Sequence, residues 1–362
     1  LTVIGDGGWS RFARLHVDSE PERIFEEQNR LETIAAFDAD GGIVAFQRSR
    51  PSDGPVLDAI DATALDTASE ESLTRLAAFN QSFVEKHPTP ECTRLTFEGA
   101  RGEEVEGLVF YPNDFDPDDP DERGVVLDIH GGPMAYDSPQ FRFQDCYFTS
   151  RGYLVFKVNY HGSTSYGREF CESLKGRWGT LEVDDLLAGM DELEARGWAD
   201  PNRLFPTGFS QGGVNTGYLV TQDNRWAAAA AEHGIYDLRS SFGTDDSQNW
   251  LEDDFGLPWE NPERFDAASA ITDVGRVETP LLLTAGEHDW RCPPAQSEQL
   301  YVSVRKQGVP AKLVIYPDEH HNVGSPDRAV HRLETLDEWF ATYDPEREHS
   351  ETDETRGTEE TG

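Results

Sequence analysis

Apolar positions along this chain follow two rhythms, and the change falls near Phe83. Before about residue 80, short runs alternate apolar with polar residues: Phe12–Val17, Leu31–Phe37, Gly42–Arg48, Val56–Ile60 and Leu73–Leu76. A period of two turns one strand face inward and leaves the other wet. Asp38-Ala-Asp-Gly-Gly42 and Pro51-Ser-Asp-Gly-Pro55 supply turns between the runs. The spacing predicts about one four-stranded unit and the remains of another. That is compatible with a propeller blade, over a span too short for a repeat to show.

Beyond Phe83, strands alternate with long amphipathic helices. The predicted strands are Thr93–Phe97, Glu106–Tyr111, Gly124–Ile129, Leu154–Asn159, Arg203–Thr207, Ala227–Glu232, Pro280–Ala285 and Ala311–Tyr316. Most are apolar along their whole length, as strands covered on both faces must be. Helical patterns lie at Leu181–Arg196, Gly213–Thr221, Ala295–Gln307 and Arg328–Tyr343. This order implies an α/β fold with a mainly parallel, doubly wound sheet. The expected division is a β region over 1–80, an α/β domain over 81–345 and an acidic tail over 346–362, with disorder beginning at Asp344.

Charge changes the picture next. The chain carries 69 acids against 31 bases, a formal −38, and only five lysines. Its last stretch, Asp344–Gly362, accounts for only −6 of that, so the acidity belongs to the folded surface. Such a surface repels nucleic acid and anionic membrane, which excludes both as partners. No apolar run approaches a membrane span, and no basic-plus-apolar secretory signal is visible in the first residues. A salt-adapted protein of a halophile's cytoplasm is the expectation. Leu1 stands where an initiator Met would, so the chain is expected to be processed or a piece of something longer. Four scattered cysteines offer neither a zinc knuckle nor a disulfide framework.

The candidate chemistry centres on Arg203-Leu-Phe-Pro-Thr-Gly-Phe-Ser-Gln-Gly-Gly213, an apolar strand that breaks into a G-x-S-x-G turn. That turn lifts the Ser210 hydroxyl above the sheet edge and points the next backbone N–H at the same spot. A serine hydroxyl needs a base beside it, held in turn by an acid. Asp289 follows the strand Leu281–Ala285, with Glu287 as the rival acid. His320 and His321 follow the next strand. Alone, that pair reads as a solvated loop or, with Asp318 and Glu319, a casual metal site, but its place one strand and one helix after a matching acid points to the base. His130-Gly-Gly-Pro133 directly follows an earlier strand, where bare backbone N–H groups can approach a developing oxyanion. No cofactor and no metal is called for. His233 reads as a satisfied core histidine, and Tyr153, Phe156 and Tyr160 as core. Trp250, Phe255 and Trp259 read as aromatic core that could line a pocket.

These residues resemble the prolyl oligopeptidase family of serine peptidases, in its acylaminoacyl-peptidase branch. The likeness extends over roughly residues 70–345. It rests on His130-Gly-Gly-Pro133, Asn159-Tyr-His-Gly-Ser163, Trp178-Gly179, Gly208-Phe-Ser-Gln-Gly212, Asp289-Trp-Arg-Cys-Pro293 and Tyr316-Pro-Asp-Glu-His-His321. The resemblance implies an α/β-hydrolase domain after a β-propeller. It implies Ser210, Asp289 and His321 as a triad, Gly132 and Gln211 as backbone oxyanion donors, and Arg291 as a holder of the substrate's backbone carbonyl. His161 stands where relatives usually carry arginine, so that arginine's ion pair is expected to be missing. Only about one propeller blade fits into residues 1–80. The expected function is cleavage of short peptides, of oligopeptidase or acylaminoacyl/aminopeptidase type, by a protein compatible with a homo-oligomer. The alternatives are a carboxylesterase on the same site, or an inactive fragment serving as a binding or assembly module.

Overall fold

The protein is described by a computed structural model that covers residues 1–24, 33–67 and 69–347. Two small antiparallel sheets come first. Strands β1 (Thr2–Gly5), β2 (Ser10–Arg14) and β3 (Glu22–Arg23) form one of them. Strands β4 (Thr33–Asp40), β5 (Ile43–Ser49), β6 (Val56–Asp61) and β7 (Thr74–Ala78) form the other in simple sequence order, as one propeller blade would. The β4–β5 hairpin turns on Gly41 and Gly42, both at positive φ, the geometry a two-residue hairpin loop demands. Phe12 meets Phe46 edge-on at 5.2 Å in a core shared with Val44 and Ile60. The predicted strand Phe12–Val17 stops at Arg14, because Leu15 and Val17 point into solvent. Leu31, the predicted start of the next strand, lies outside the described residues.

The remaining strands build one eight-stranded sheet. They are β8 (Glu91–Glu98), β9 (Glu104–Tyr111), β10 (Arg123–Ile129), β11 (Leu154–Asn159), β12 (Ala199–Phe209), β13 (Ala229–Glu232), β14 (Leu281–Gly286) and β15 (Ala311–Tyr316). Their order is β15-β14-β13-β12-β10-β11-β9-β8, parallel from β15 through β11, with β9 and β8 antiparallel at one edge. Alternate residues of one strand feed two different cores. Val125, Leu127 and Ile129 face a cluster with Val183, Met190, Leu219 and Val304 from the helices 181–195, 211–222 and 294–306. Val126 faces the other way, toward Phe148, Leu336 and Phe340 of the helices 143–149 and 326–343. Both faces are therefore covered, which is why these strands read as unbroken apolar runs.

The first residues dock beside the carboxyl ends of the parallel strands. The N–H of Gly7 donates to the Ser165 carbonyl at 2.9 Å, and Ser10 Oγ lies 2.6 Å from the Tyr136 hydroxyl. Arg94, paired with Glu106, donates to the Gly7 carbonyl at 3.0 Å and lies over the Trp9 ring. At the other end, order continues past Asp344. Its buried carboxylate accepts from Arg203 Nε at 2.7 Å and from the Tyr153 hydroxyl at 2.6 Å, so the expected disorder does not begin there. The helix 326–343 ends on a carboxylate that two buried donors require, Arg203 of β12 and Tyr153 just before β11. Residues 348–362 of the expected tail lie outside the described residues.

Candidate active site

Strand β12 ends at Phe209, and Ser210 follows with φ 61° and ψ −121° before the helix Gln211–Gln222 begins. A non-glycine residue held at positive φ costs on the order of 1–3 kcal/mol, so the surrounding packing must impose it. The glycines show how. A Cβ on Gly208 would lie 2.5 Å from the Gly212 carbonyl, and one on Gly212 would lie 2.0 Å from the Ile129 oxygen. Only bare backbone fits a turn this tight against β10. The Ser210 N–H donates to the Glu232 carbonyl at 2.9 Å, tying the turn to β13 as well.

His321 Nε2 lies 2.9 Å from Ser210 Oγ, and its Nδ1 lies 2.9 Å from Asp289 Oδ2. A carboxylate can only accept, so Nδ1 carries the proton and Nε2 presents a lone pair to the serine hydroxyl. Asp289 has a fully buried side chain, and its Oδ1 accepts from the backbone N–H of Arg291 at 2.9 Å and of Cys292 at 2.8 Å. Burial pushes this carboxyl up, but the donors from His233, His321 and Cys292 outweigh it and hold the group below the usual carboxylate range. Asp289 is therefore ionised at neutral pH.

The loop after β10 comes up against the same turn. A Cβ on Gly131 would lie 2.9 Å from the Phe209 oxygen and 3.2 Å from Ser210 Cβ, so this loop and the turn are in backbone contact. The His130 ring is pinned by the Gly131 carbonyl at 2.8 Å and the Ser163 hydroxyl at 2.9 Å, and it stacks on Tyr160. Gln211 opens its helix, so its backbone N–H has no intrahelical acceptor and lies at the positive end of the helix dipole. Gly132, Gln211, Ser210 and His321 line a cavity of about 330 Å³ whose far wall is Trp178, Val214, Ile235, Trp250 and Leu251. Arg291 reaches its rim, where Nε donates to Asp246 at 2.5 Å.

The rivals have other work. Glu287 accepts from the Asp318 N–H at 3.0 Å, and His320 Nδ1 lies 3.0 Å from the His288 carbonyl. With the N–H of His288 donating to the Glu319 carbonyl at 2.9 Å, these bonds lace the Asp289 loop to the His321 loop. Three expectations need correction. His161 does not leave an ion pair missing, because its fully buried ring bridges Asp185 at 2.6 Å and Glu103 at 2.9 Å. An imidazole with two nitrogens spans two carboxylates as an arginine would. Trp259 is exposed rather than core, whereas Phe255 is buried core as expected and Trp250 lines the cavity. His233 is not a satisfied core histidine. Its Nδ1 reaches Asp289 Oδ2 at 3.1 Å, while its Nε2 is buried with no hydrogen-bond partner among the described residues.

Residues 139–344 match the profile of the prolyl oligopeptidase family. The chain belongs to that family. Among curated proteins, this prolyl oligopeptidase family member is 34% identical over 277 residues to the uncharacterized peptidase YuxL of Bacillus subtilis, covering 74% of this chain and 41% of the relative. It is 30% identical over 229 residues to the acylamino-acid-releasing enzyme of Arabidopsis thaliana, covering 60% and 30%. Among solved structures, it resembles an acylaminoacyl peptidase in complex with Z-Gly-Gly-Phe-chloromethyl ketone, with a TM-score of 0.82, 25% identity, and 93% of this chain and 53% of that one covered. A Mycobacterium tuberculosis puromycin-hydrolyzing peptidase gives 0.79 and 26%, covering 93% and 51%. The chain thus spans less than half the length of these curated relatives and about half that of the solved chains.

Proposed function

We propose that the chain hydrolyses short peptides by acyl transfer to Ser210. The observation that carries this reading is the unbroken hydrogen-bonded series from Ser210 Oγ through His321 to Asp289 Oδ2, starting at a residue held at positive φ. In this reading His321 Nε2 takes the hydroxyl proton as Ser210 Oγ attacks the scissile carbonyl. The buried Asp289 carboxylate stabilises the imidazolium that forms. The backbone N–H groups of Gly132 and Gln211 receive the negative oxygen, each worth about 3–4 kcal/mol in the transition state. His321 then protonates the leaving amine, and water attacking by the reverse path frees the acyl group from Ser210.

The apolar cavity beside Ser210 supports an acyl side that carries an apolar or aromatic side chain, seated against Trp178 and Trp250. Arg291 at the rim is suited to hold a backbone carbonyl of that acyl segment. Residues 1–80 are read as the end of a gating propeller and 81–345 as the catalytic domain. Rates on acetyl-aminoacyl and free aminoacyl p-nitroanilides, set beside p-nitrophenyl esters, test the reading. Peptide-type substrates with an aromatic residue before the cleaved bond should be turned over by the wild type and not by Ser210→Ala. Turnover of esters alone would make the chain a carboxylesterase, and turnover of neither would leave it a non-catalytic module.

A further inference from the structure

His233 lies on a strand end that the reaction as written does not use. It follows β13, which runs between β12, bearing Ser210, and β14, which leads to Asp289. Its backbone stands at φ +50°, with its N–H donated to the Thr284 carbonyl of β14 at 2.9 Å. The side chain is fully buried, and the ring packs on Phe209 with centroids 4.6 Å apart. Its Nδ1 meets Asp289 Oδ2, the oxygen that also accepts from His321. Because a carboxylate only accepts, His233 Nδ1 carries a proton. Its Nε2 has no partner among the described residues, so a second proton there would be a buried, unpaired charged donor. The geometry therefore holds this ring as a neutral Nδ1–H donor.

We propose that His233 is a positioning residue that acts through Asp289: its N–H fixes the carboxylate and takes up part of the negative charge that would otherwise go to His321. This rests on the acyl-transfer reading above. An oxygen shared between two N–H donors stabilises the His321 imidazolium less than an oxygen given to His321 alone. The other ionisable groups around this pair do not offer that control. Burial pushes the Cys292 thiol well up and keeps it protonated, Arg291 is paired with Asp246, and Glu232 is paired with Arg332.

The test is the pH dependence of fluorophosphonate labelling at Ser210 in the wild type, His233→Phe and His233→Asn. Phenylalanine keeps the stack on Phe209 and removes the donor. Asparagine places an amide N–H near the Nδ1 position and tolerates positive φ well. The acid limb of the labelling rate should move up by about half a unit to one unit in His233→Phe, lowering the rate roughly 3- to 10-fold on that limb, and should return toward the wild type in His233→Asn. Proton NMR of the wild type should also show two imidazole N–H resonances downfield of the amides, falling to one in His233→Phe. Labelling profiles that coincide in all three proteins, or a single downfield resonance in the wild type, would overturn the inference. A wild type that never labels would instead defeat the acyl-transfer reading, and the resonance count would still decide whether His233 donates to Asp289.

Discussion

Asp289 receives four N–H donors: two imidazoles on Oδ2 and two backbone amides on Oδ1. That saturation makes it more than a charge near His321, because the carboxylate has one orientation and forces one tautomer on that ring. Asp289→Asn would present an amide N–H to His321 Nδ1, turn the ring's proton toward Ser210, and lower kcat by about 10⁴ with little change in KM. Steady-state kinetics on an aromatic p-nitroanilide would measure it. Arg291→Ala, by contrast, should raise KM roughly tenfold with a smaller effect on kcat, as expected for a group that binds ground state and transition state alike. That Ser210, Asp289 and His321 come together was legible in the sequence because each lies on the segment after an apolar strand, in hydrolase chain order. Choosing Asp289 over Glu287, or His321 over His320, took more than strand position, since neighbours on one loop differ only in where the backbone turns them. His233 was misread for a related reason. The first residue after β13 looks like a strand end until the sheet order sets that strand between the strands bearing Ser210 and Asp289.

Two charged clusters hold the strands and helices that carry the site. Lys157 on β11 is buried between Asp128 on β10 and Asp145 on the helix 143–149. Lys157→Met should destabilise the fold by about 3–5 kcal/mol in denaturant titrations, because it leaves the buried Asp145 and the half-buried Asp128 without their cation. The second cluster joins His161, after β11, to Asp185 of the helix 181–195. Burial lowers the basicity of the imidazole, but the hydrogen bonds its ring donates to Asp185 and Glu103 more than offset it and hold His161 above its ordinary value. A raised folded-state value means this contribution is complete below the unfolded value of about 6.5 and is lost as pH rises through the folded one. The thermal midpoint of the wild type should therefore fall across that window, whereas His161→Arg, whose charge does not titrate there, should lack this step. The strands themselves were legible because both faces are buried and the apolar runs are continuous. Their boundaries at β2 and the docking of Asp344 were not, since solvent exposure at Leu15 and the reach of Arg203 arise only in the folded arrangement.

Across the whole molecule, five adjacent parallel strands deliver the site in spatial order. They bring His321 from β15, Asp289 from β14, His233 from β13, Ser210 from β12 and the His130–Gly132 loop from β10 to the carboxyl edge of one sheet. That sheet sits in a chain with a formal charge of −38, and among the described residues most arginines are spent in local pairs. Self-repulsion of this size weakens with salt, as the screening length falls to about 3 Å at 1 M. Unfolding midpoints should accordingly rise from 0.1 M to multi-molar KCl, and equal midpoints would mean that surface charge does not govern stability. The most direct test of the central claim is intact-protein mass spectrometry after a fluorophosphonate probe, with the adduct mapped to its peptide. A single adduct on the peptide containing Ser210, absent from Ser210→Ala, is the predicted result. A folded wild type that stays unmodified in both low and high salt, or that takes up the probe elsewhere, would contradict the assignment of Ser210 as the nucleophile.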